Sequence, residues 1–162
     1  MPTAVKPKKT WREKLADNKG HPTVAQVGGK LTQRWGEDTF VIPAPLEVDA
    51  LMKRVPKGRL VTINELRAAL ATKHKADFAC PITTGIFSWI AAHAAAEAEA
   101  GGAKRITPYW RTLKVGGEVN AKYPGGIAEL RRRLAAEGHQ VRQQGKRFLV
   151  VDFERKLFKR LA

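Results

Sequence analysis

The chain has 162 residues, the usual size of one domain, so two large domains are excluded. Thirty Lys and Arg residues against fifteen Asp and Glu residues give a formal net charge of +15, while the hydrophobic fraction of 43% is ordinary. Solubility alone needs a net charge of only about 2–8 for a small domain, so the excess predicts a polyanionic partner, above all nucleic acid.

The cysteine and histidine content limits the kinds of site that the chain can hold. Cys80 is the only cysteine, which excludes an internal disulfide and a zinc site built from several thiolates of one chain. His21, His74 and His93 show no metal-ligand spacing, and His139 is expected on the surface, so we predict neither metal nor cofactor. No apolar run approaches the about 20 residues that span a bilayer, and no signal-peptide pattern is visible. We expect a cytoplasmic, nucleoid-associated protein that binds no membrane.

The first 45 residues read as an extension to the main domain. Residues Val5–Lys9 have the Pro and Lys content of a basic arm. Thr10 to Lys19 predicts a short helix on which Trp11 and Leu15 share a face, and Thr39–Ile42 predicts a strand. We therefore divide the chain into residues 1–45, an arm and extension, and residues 46–162, the main domain.

The main domain begins with helical patterns. An amphipathic helix from Leu46 is expected to stop at Pro56. Thr62 and Glu65 have capping-box spacing and open the next helix. A connection over residues 74–81 leads to a helix that runs to Ala100, whose predicted apolar stripe is Ile82, Ile86, Phe87, Ile90 and Ala94. Two helices joined by a short connection in a basic chain are typical of a helix-turn-helix.

The C-terminal part predicts one more helix followed by a hairpin. Residues 127–136 form a helical pattern that carries three consecutive arginines from Arg131. Residues 140–143 and 147–151 read as a basic β-hairpin, and a last helix is predicted over residues 153–161. The predicted fold class is mainly α with small β elements, a winged helix in which the hairpin touches the sugar-phosphate backbone.

Four segments appear in a recognisable order: residues 55–66, Thr107-Pro108-Tyr109-Trp110-Arg111, a glycine turn at 116–118 followed by Tyr123-Pro124-Gly125-Gly126, and residues 134–139. Together they resemble the DNA-binding domain of the alkylguanine-DNA alkyltransferases. That family has Pro-Cys-His-Arg at the second segment, a Tyr-x-Gly-Gly loop at the third and Leu-x-x-Glu-Gly at the fourth. The resemblance implies the same winged-helix fold over roughly residues 46–139.

The resemblance also implies a loss of chemistry. In the family a cysteine thiolate, activated through a histidine and a glutamate, takes an alkyl group from a flipped guanine. Here Tyr109 stands at the cysteine position, and a phenol with a pKa of about 10 is a poor nucleophile at neutral pH. Trp110 stands at the histidine position, and an indole cannot act as a general base. The chain therefore resembles the alkyltransferase-like branch, which binds damaged DNA without repairing it, and no catalytic residue is predicted.

The candidate site residues form two groups. Those predicted to contact double-stranded DNA, through phosphates or a groove, are Lys57, Arg59, Thr83, Thr84, Ser88, Arg111, Lys114, Arg142, Lys146 and Arg147. Those predicted to line a remnant of the alkyl-guanine pocket, where aromatic faces could stack a base, are Tyr109, Trp110, Tyr123 and Glu137.

Two alternatives stay open from the residues alone. A basic winged helix also suits an RNA-binding or ribosome-associated protein, since nothing in the sequence reads or rejects a 2′-hydroxyl. An enzyme with altered chemistry would use Glu137 as acid or base together with Cys80, although cysteine is usually a packed core residue and Glu137 suits a buried hydrogen bond.

Overall fold

A computed structural model describes residues 8–28 and 38–161, so most of the predicted basic arm lies outside the described residues. The helices are α1 Trp11–Ala16, α2 Pro45–Lys53, α3 Ile63–His74, α4 Pro81–Ala100 and α5 Gly126–Ala136. The strands are β1 Thr23–Gln26, β2 Thr39–Ile42, β3 Val61–Thr62, β4 Phe78–Ala79, β5 Thr112–Leu113, β6 Val141–Gln144 and β7 Arg147–Val150. Short 3-10 turns cover Tyr109–Arg111, Val115–Gly117 and Phe153–Lys156. The prediction of a mainly α fold with small β elements is confirmed.

The start of α3 shows how local sequence sets these bounds. The Thr62 hydroxyl accepts a hydrogen bond from Asn64 N at 3.1 Å, and the Glu65 carboxylate accepts one from Thr62 N at 2.8 Å. Two backbone N–H groups that a helix start leaves unpaired are thus satisfied, as the capping-box spacing predicted.

The N-terminal helix α1 lies against the C-terminal half of α4. The ring of Trp11 stacks on His93 with centroids 4.4 Å apart and meets Trp89 edge-on at 4.8 Å. The Glu97 carboxylate accepts from the Trp11 and Arg12 backbone N–H groups at 3.0 and 3.3 Å. Because an isolated helix of this length is unstable in water, α1 depends on these contacts with α4.

Strand β2 joins the extension to the connection between α3 and α4. It pairs antiparallel with β1 and parallel with β4, so the three strands form one sheet. The Asp77 carboxylate accepts from Thr39 N at 2.9 Å, and Cys80 N donates to Val41 O at 2.9 Å. Val41 is fully buried in the main core. The described part of the extension therefore packs as part of the same body as the main domain.

Helix α4 presents a different face to the core from the one that we predicted. Small residues, Thr84, Ser88, Ala91 and Ala95, are buried together with Phe87 and Ile90. Ile82 and Ile86, predicted to belong to the core stripe, are instead 51% and 45% exposed. The reason is steric, since small side chains let the backbone of α4 approach its neighbours closely, and the two isoleucines consequently point outward.

The predicted last helix over residues 153–161 is wrong in its extent. Only the 3-10 turn Phe153–Lys156 forms, and the chain then runs alongside Leu60. Leu60 N donates to Lys156 O at 2.9 Å and Phe158 N donates to Leu60 O at 2.8 Å. These backbone groups cannot also form helical bonds. None of the helices within residues 8–28 and 38–161 combines the length and apolar character that a bilayer crossing requires.

Candidate nucleic-acid interface

A groove of about 630 Å³ lies between the first turns of α4 and the chain that follows β5. Its walls are mainly apolar, and Lys114 and Lys122 lie on its rim. Among the wall residues, Ile82, Ile86 and Val115 are 51%, 45% and 56% exposed. The surface therefore offers an apolar slot bordered by cations, which suits a flat apolar group attached to an anionic backbone.

Hydrogen bonds from α4 fix the far wall of this groove. Trp89 Nε1 and His93 Nε2 both donate to Lys122 O, at 3.2 and 3.1 Å. The next residue, Tyr123, donates its hydroxyl to Ser88 Oγ at 3.0 Å, and burial raises the pKa of Tyr123 to about 12. Since Trp11 packs behind Trp89, helix α1 supports the same wall.

The β6–β7 hairpin lies next to the groove. Val119 N donates to Phe148 O at 2.8 Å, and Arg147 Nε lies 3.3 Å from Glu118 Oε2. The predicted phosphate contacts Arg142, Lys146 and Arg147 are all exposed on this hairpin. Lys114, also predicted, is exposed at the groove and lies 3.7 Å from Glu118. Four of the predicted cations therefore lie exposed on the hairpin or at the groove beside it.

Three predicted contacts on α4 do not reach the surface as expected. Thr84 is fully buried and donates its hydroxyl to Cys80 O at 2.7 Å. Ser88 is 1% exposed, with its hydroxyl donating to Gly85 O at 2.8 Å. Thr83 is half-buried, and its hydroxyl oxygen is enclosed with no hydrogen-bond partner among the described residues. The prediction that Thr84 and Ser88 face a nucleic-acid groove is wrong, because both side chains belong to the core.

Arg111, predicted to hold a phosphate, is instead committed to a buried carboxylate. Its Nε and Nη2 donate to the two oxygens of Glu137, each at 2.9 Å, and its Nη1 donates to Val55 O at 2.8 Å. The side chains of Arg111 and Glu137 are only 14% and 6% exposed. All three guanidinium nitrogens are held by partners inside the protein and the side chain is largely buried, so the prediction that Arg111 holds a phosphate is wrong.

Two further donors complete the surroundings of Glu137. Trp110 Nε1 donates to its Oε2 at 2.8 Å, and Gly58 N donates to its Oε1 at 3.2 Å. Although burial alone raises it, these hydrogen bonds and those of Arg111 hold the pKa of Glu137 below its ordinary value. Glu137 is therefore ionised, and both of its carboxylate oxygens accept hydrogen bonds. Such a group holds neighbouring side chains in place and has no proton to donate as a general acid.

The predicted remnant pocket is filled by its own aromatic side chains. Tyr109 is 1% exposed and Tyr123 is 3% exposed, with ring centroids 6.2 Å apart. Burial raises the pKa of the Tyr109 phenol, which keeps it protonated. Tyr109 and Tyr123 therefore cannot stack a base, and that prediction is corrected. Trp110 is partly exposed, with the Arg133 guanidinium 4.7 Å from its ring.

The remaining candidates lie away from the groove. Lys57 is exposed beside Trp110, at a second cavity of about 340 Å³. Arg59 is exposed, and its Nη1 lies 3.4 Å from Arg155 O. Cys80 is buried at the start of α4. In the two described ranges no three His, Cys, Asp or Glu side chains are arranged to hold a metal ion.

His139, expected on the surface, is only 6% exposed, and its Nε2 is enclosed without a partner among the described residues. Burial lowers its pKa, with Lys156 and Arg111 acting in the same direction and Glu137 opposing them. Protonation therefore favours the unfolded chain, where the pKa is about 6.5. The free energy of unfolding is expected to fall as pH drops below about 6.5, by at most about 1.4 kcal/mol per pH unit from this group.

Urea denaturation at pH 5, 6 and 7 measures this loss. The variant His139→Gln is expected to show a flatter pH profile than the parent. Parallel profiles for His139→Gln and the parent would contradict the assignment.

Five residues that line the groove were not predicted as site residues from the sequence, namely Ile82, Ile86, Trp89, Val115 and Lys122. One pattern in the sequence could have shown which face of α4 is exposed. Threonine, serine and alanine recur at helical spacing from Thr84 to Ala95, which indicates that α4 packs through its small residues and presents Ile82 and Ile86 on another face.

Comparison with known proteins bears on the fold. No protein-family model and no curated protein sequence matches the chain. Among solved structures, this chain is similar to the crystal structure of S. pombe Atl1 in complex with damaged DNA containing O6-carboxymethylguanine. The TM-score is 0.51 at 16% sequence identity, and the match covers 71% of this chain and 94% of that one. At this identity the likeness establishes the fold alone, and that fold agrees with the fold class predicted from the sequence.

Proposed function

We propose that this chain is a non-enzymatic protein that binds double-stranded DNA and holds a damaged or extruded base in the groove beside α4. The observation that carries the proposal is the groove itself, an apolar slot of about 630 Å³ with Lys114 and Lys122 on its rim and the cationic hairpin beside it. The structural similarity to Atl1, a protein solved with damaged DNA, supports this choice of ligand.

The hairpin suits phosphates and the groove suits a base because their side chains differ in chemistry. Exposed cations such as Arg142, Lys146 and Arg147 attract phosphates and release counterions, which provides affinity without sequence information. An extruded base exposes two flat apolar faces, which the aliphatic walls and Trp89 can cover. Binding would therefore depend strongly on salt and more strongly on base damage than on sequence.

The absence of alkyl transfer follows from the side chains that replace the acceptor. Tyr109 is buried and protonated, and Trp110 donates its ring N–H to Glu137 and has no base to offer. Glu137 is held ionised by hydrogen bonds from three residues, and Cys80 is 5% exposed. None of these four side chains is therefore both accessible to a substrate and in a state that could accept an alkyl group.

Removing hairpin cations is expected to change the salt dependence of DNA binding. Each phosphate contact contributes about 0.9 to the slope of log K against log salt, so Arg142→Ala with Arg147→Ala is expected to flatten it by up to about 1.8. Fluorescence anisotropy with a duplex containing O6-alkylguanine, titrated at several salt concentrations, measures the slope.

A matched control removes the same charge elsewhere. Lys104→Ala with Arg105→Ala deletes two exposed cations from the connection after α4 and is expected to leave the slope unchanged. Equal losses in both double variants, tighter binding to structured RNA than to the duplex, or a protein mass increased by the alkyl group would each overturn the proposal.

A further inference from the structure

The cations of helix α1 lie on different sides of that helix. Arg12 lines a cavity of about 170 Å³ with Ala91 of α4, whereas Trp89, two residues before Ala91, lines the groove. Residues two apart in a helix point to nearly opposite sides, so Lys14 lies on the side of α1 away from this cavity. Lys14 is therefore the cation of α1 that lies on the groove side.

Two aromatic rings connect Lys14 to the groove. The Lys14 ammonium lies 4.3 Å from the centre of the Trp11 ring, and Trp11 meets Trp89 with centroids 4.8 Å apart. Trp89 Nε1 in turn donates to Lys122 O at 3.2 Å, and the Lys122 side chain is exposed on the groove rim. Lys14 and Lys122 consequently border the same aromatic cluster at the Trp89 end of the groove.

The charge of Lys14 is available to an external anion. In the part of the chain that the structure describes, no carboxylate lies within ion-pair distance of its ammonium, whereas Arg12 lies 3.3 Å from Glu97. The cation–π contact with Trp11 holds the ammonium in place but does not neutralise it. An anion can therefore bind at Lys14 without displacing an internal carboxylate.

We propose that α1 is a second phosphate-binding element, in which Lys14, together with Lys122, holds the DNA backbone that leaves the groove at its Trp89 end. The inference rests on the proposed function and extends the interface to a helix that precedes all four segments that resemble the alkyltransferases. A duplex carries about one negative charge per 1.7 Å of its axis, so a duplex seated at the groove presents phosphates on either side of it.

The position of the cations favours a long polyanion over a short acidic protein segment. The hairpin cations lie beside the groove at Glu118, where Arg147 pairs with that residue, and Lys14 lies beyond Trp89. A ligand must therefore carry anions on both sides of the groove to meet both groups. Regularly spaced phosphates satisfy this requirement in any register.

Helix α1 is held in place before any ligand arrives. It has six residues, too few for a stable isolated helix in water. The Glu97 carboxylate accepts from the backbone N–H groups of Trp11 and Arg12, and the Trp11 ring stacks on His93. The position of Lys14 is thus set by α4, and binding a phosphate there requires little further ordering of the protein.

The variant Lys14→Gln tests this role. It is expected to flatten the slope of log K against log salt by up to about 0.9, the contribution of one phosphate contact, and to weaken duplex binding on the order of threefold. Fluorescence anisotropy with a duplex containing O6-alkylguanine measures both. Two further duplexes, each trimmed close to the damaged base on one side, locate the contact. The effect of Lys14→Gln is expected to disappear on one trimmed duplex and to persist on the other.

Arg12→Gln is the matched control, because Arg12 is an exposed cation of the same helix on the side away from the groove. It is expected to keep the parental slope. Lys14→Arg keeps the charge and should also keep the slope, which separates charge from packing on Trp11. Far-ultraviolet circular dichroism confirms that each variant is folded.

Three results would overturn the role of α1 and leave duplex binding intact. They are a parental slope in Lys14→Gln, equal losses in Lys14→Gln and Arg12→Gln, and a loss in Lys14→Gln that persists on both trimmed duplexes. Failure of the wild type to bind any duplex would instead overturn the proposed function, and the role of α1 with it.

Discussion

Replacing Glu137 with alanine is expected to lower the free energy of unfolding by about 3–5 kcal/mol, the usual cost of leaving one partner of a buried ion pair alone. The variant strands the Arg111 guanidinium, which is only 14% exposed, and also removes the acceptor for Trp110 Nε1 and Gly58 N. Urea denaturation followed by tryptophan fluorescence measures the loss.

Glu99→Ala is the appropriate comparison because it also removes a glutamate paired with an arginine. The Glu99 side chain is 44% exposed, and its partner Arg133 keeps a second carboxylate in Glu129. Exposed pairs contribute about 0–1 kcal/mol, so the loss should stay below about 1 kcal/mol. Similar losses for both variants would show that the Glu137 network adds no more than a surface pair.

Replacing Gly117 with alanine is expected to destabilise the protein by about 2–5 kcal/mol, from a strained backbone and an overpacked neighbour together. Gly117 has a φ of +84°, and an added Cβ would lie 2.3 Å from Cδ1 of Phe153. The Phe153 ring, which packs against the main core, would have to move. Thermal and urea unfolding measure the combined cost.

A substitution at Gly116 separates the cost of backbone strain from the cost of overpacking against Phe153. Gly116 has nearly the same φ of +83°, but the nearest atom to an added Cβ is Arg147 Nη2 at 3.8 Å. Gly116→Ala should therefore cost only the backbone strain of about 1–2 kcal/mol. Equal losses at the two positions would show that Phe153 adapts without cost.

Features encoded by neighbouring residues were predictable from the sequence. The capping box at Thr62, the strand Thr39–Ile42 and the hairpin over residues 140–151 each depend on a few consecutive side chains. The ordered segments from Val55 to His139 also predicted a fold that the similarity to a solved structure supports. Most of the fold was therefore predictable from local sequence rules and from the order of these segments.

Features that depend on distant partners were not predictable. Arg111 and the hairpin arginines look alike in the sequence, and only the proximity of Glu137, 26 residues further on, removes Arg111 from the surface. Helix α4 is apolar around much of its circumference, so periodicity did not show which side the core would take. The segment after Lys156 likewise did not form the predicted helix, because its backbone pairs with Leu60 in a parallel bridge.

The pairing of β2 with β4 has a consequence for how the groove meets a ligand. In a plain helix-turn-helix the connection is a solvent-facing turn, whereas here β4 is one strand of a three-stranded sheet tied to the N-terminal extension. The angle between α3 and α4 is thereby set during folding. For the proposed DNA complex, a groove shaped in advance predicts that the duplex deforms on binding and that the protein backbone changes little.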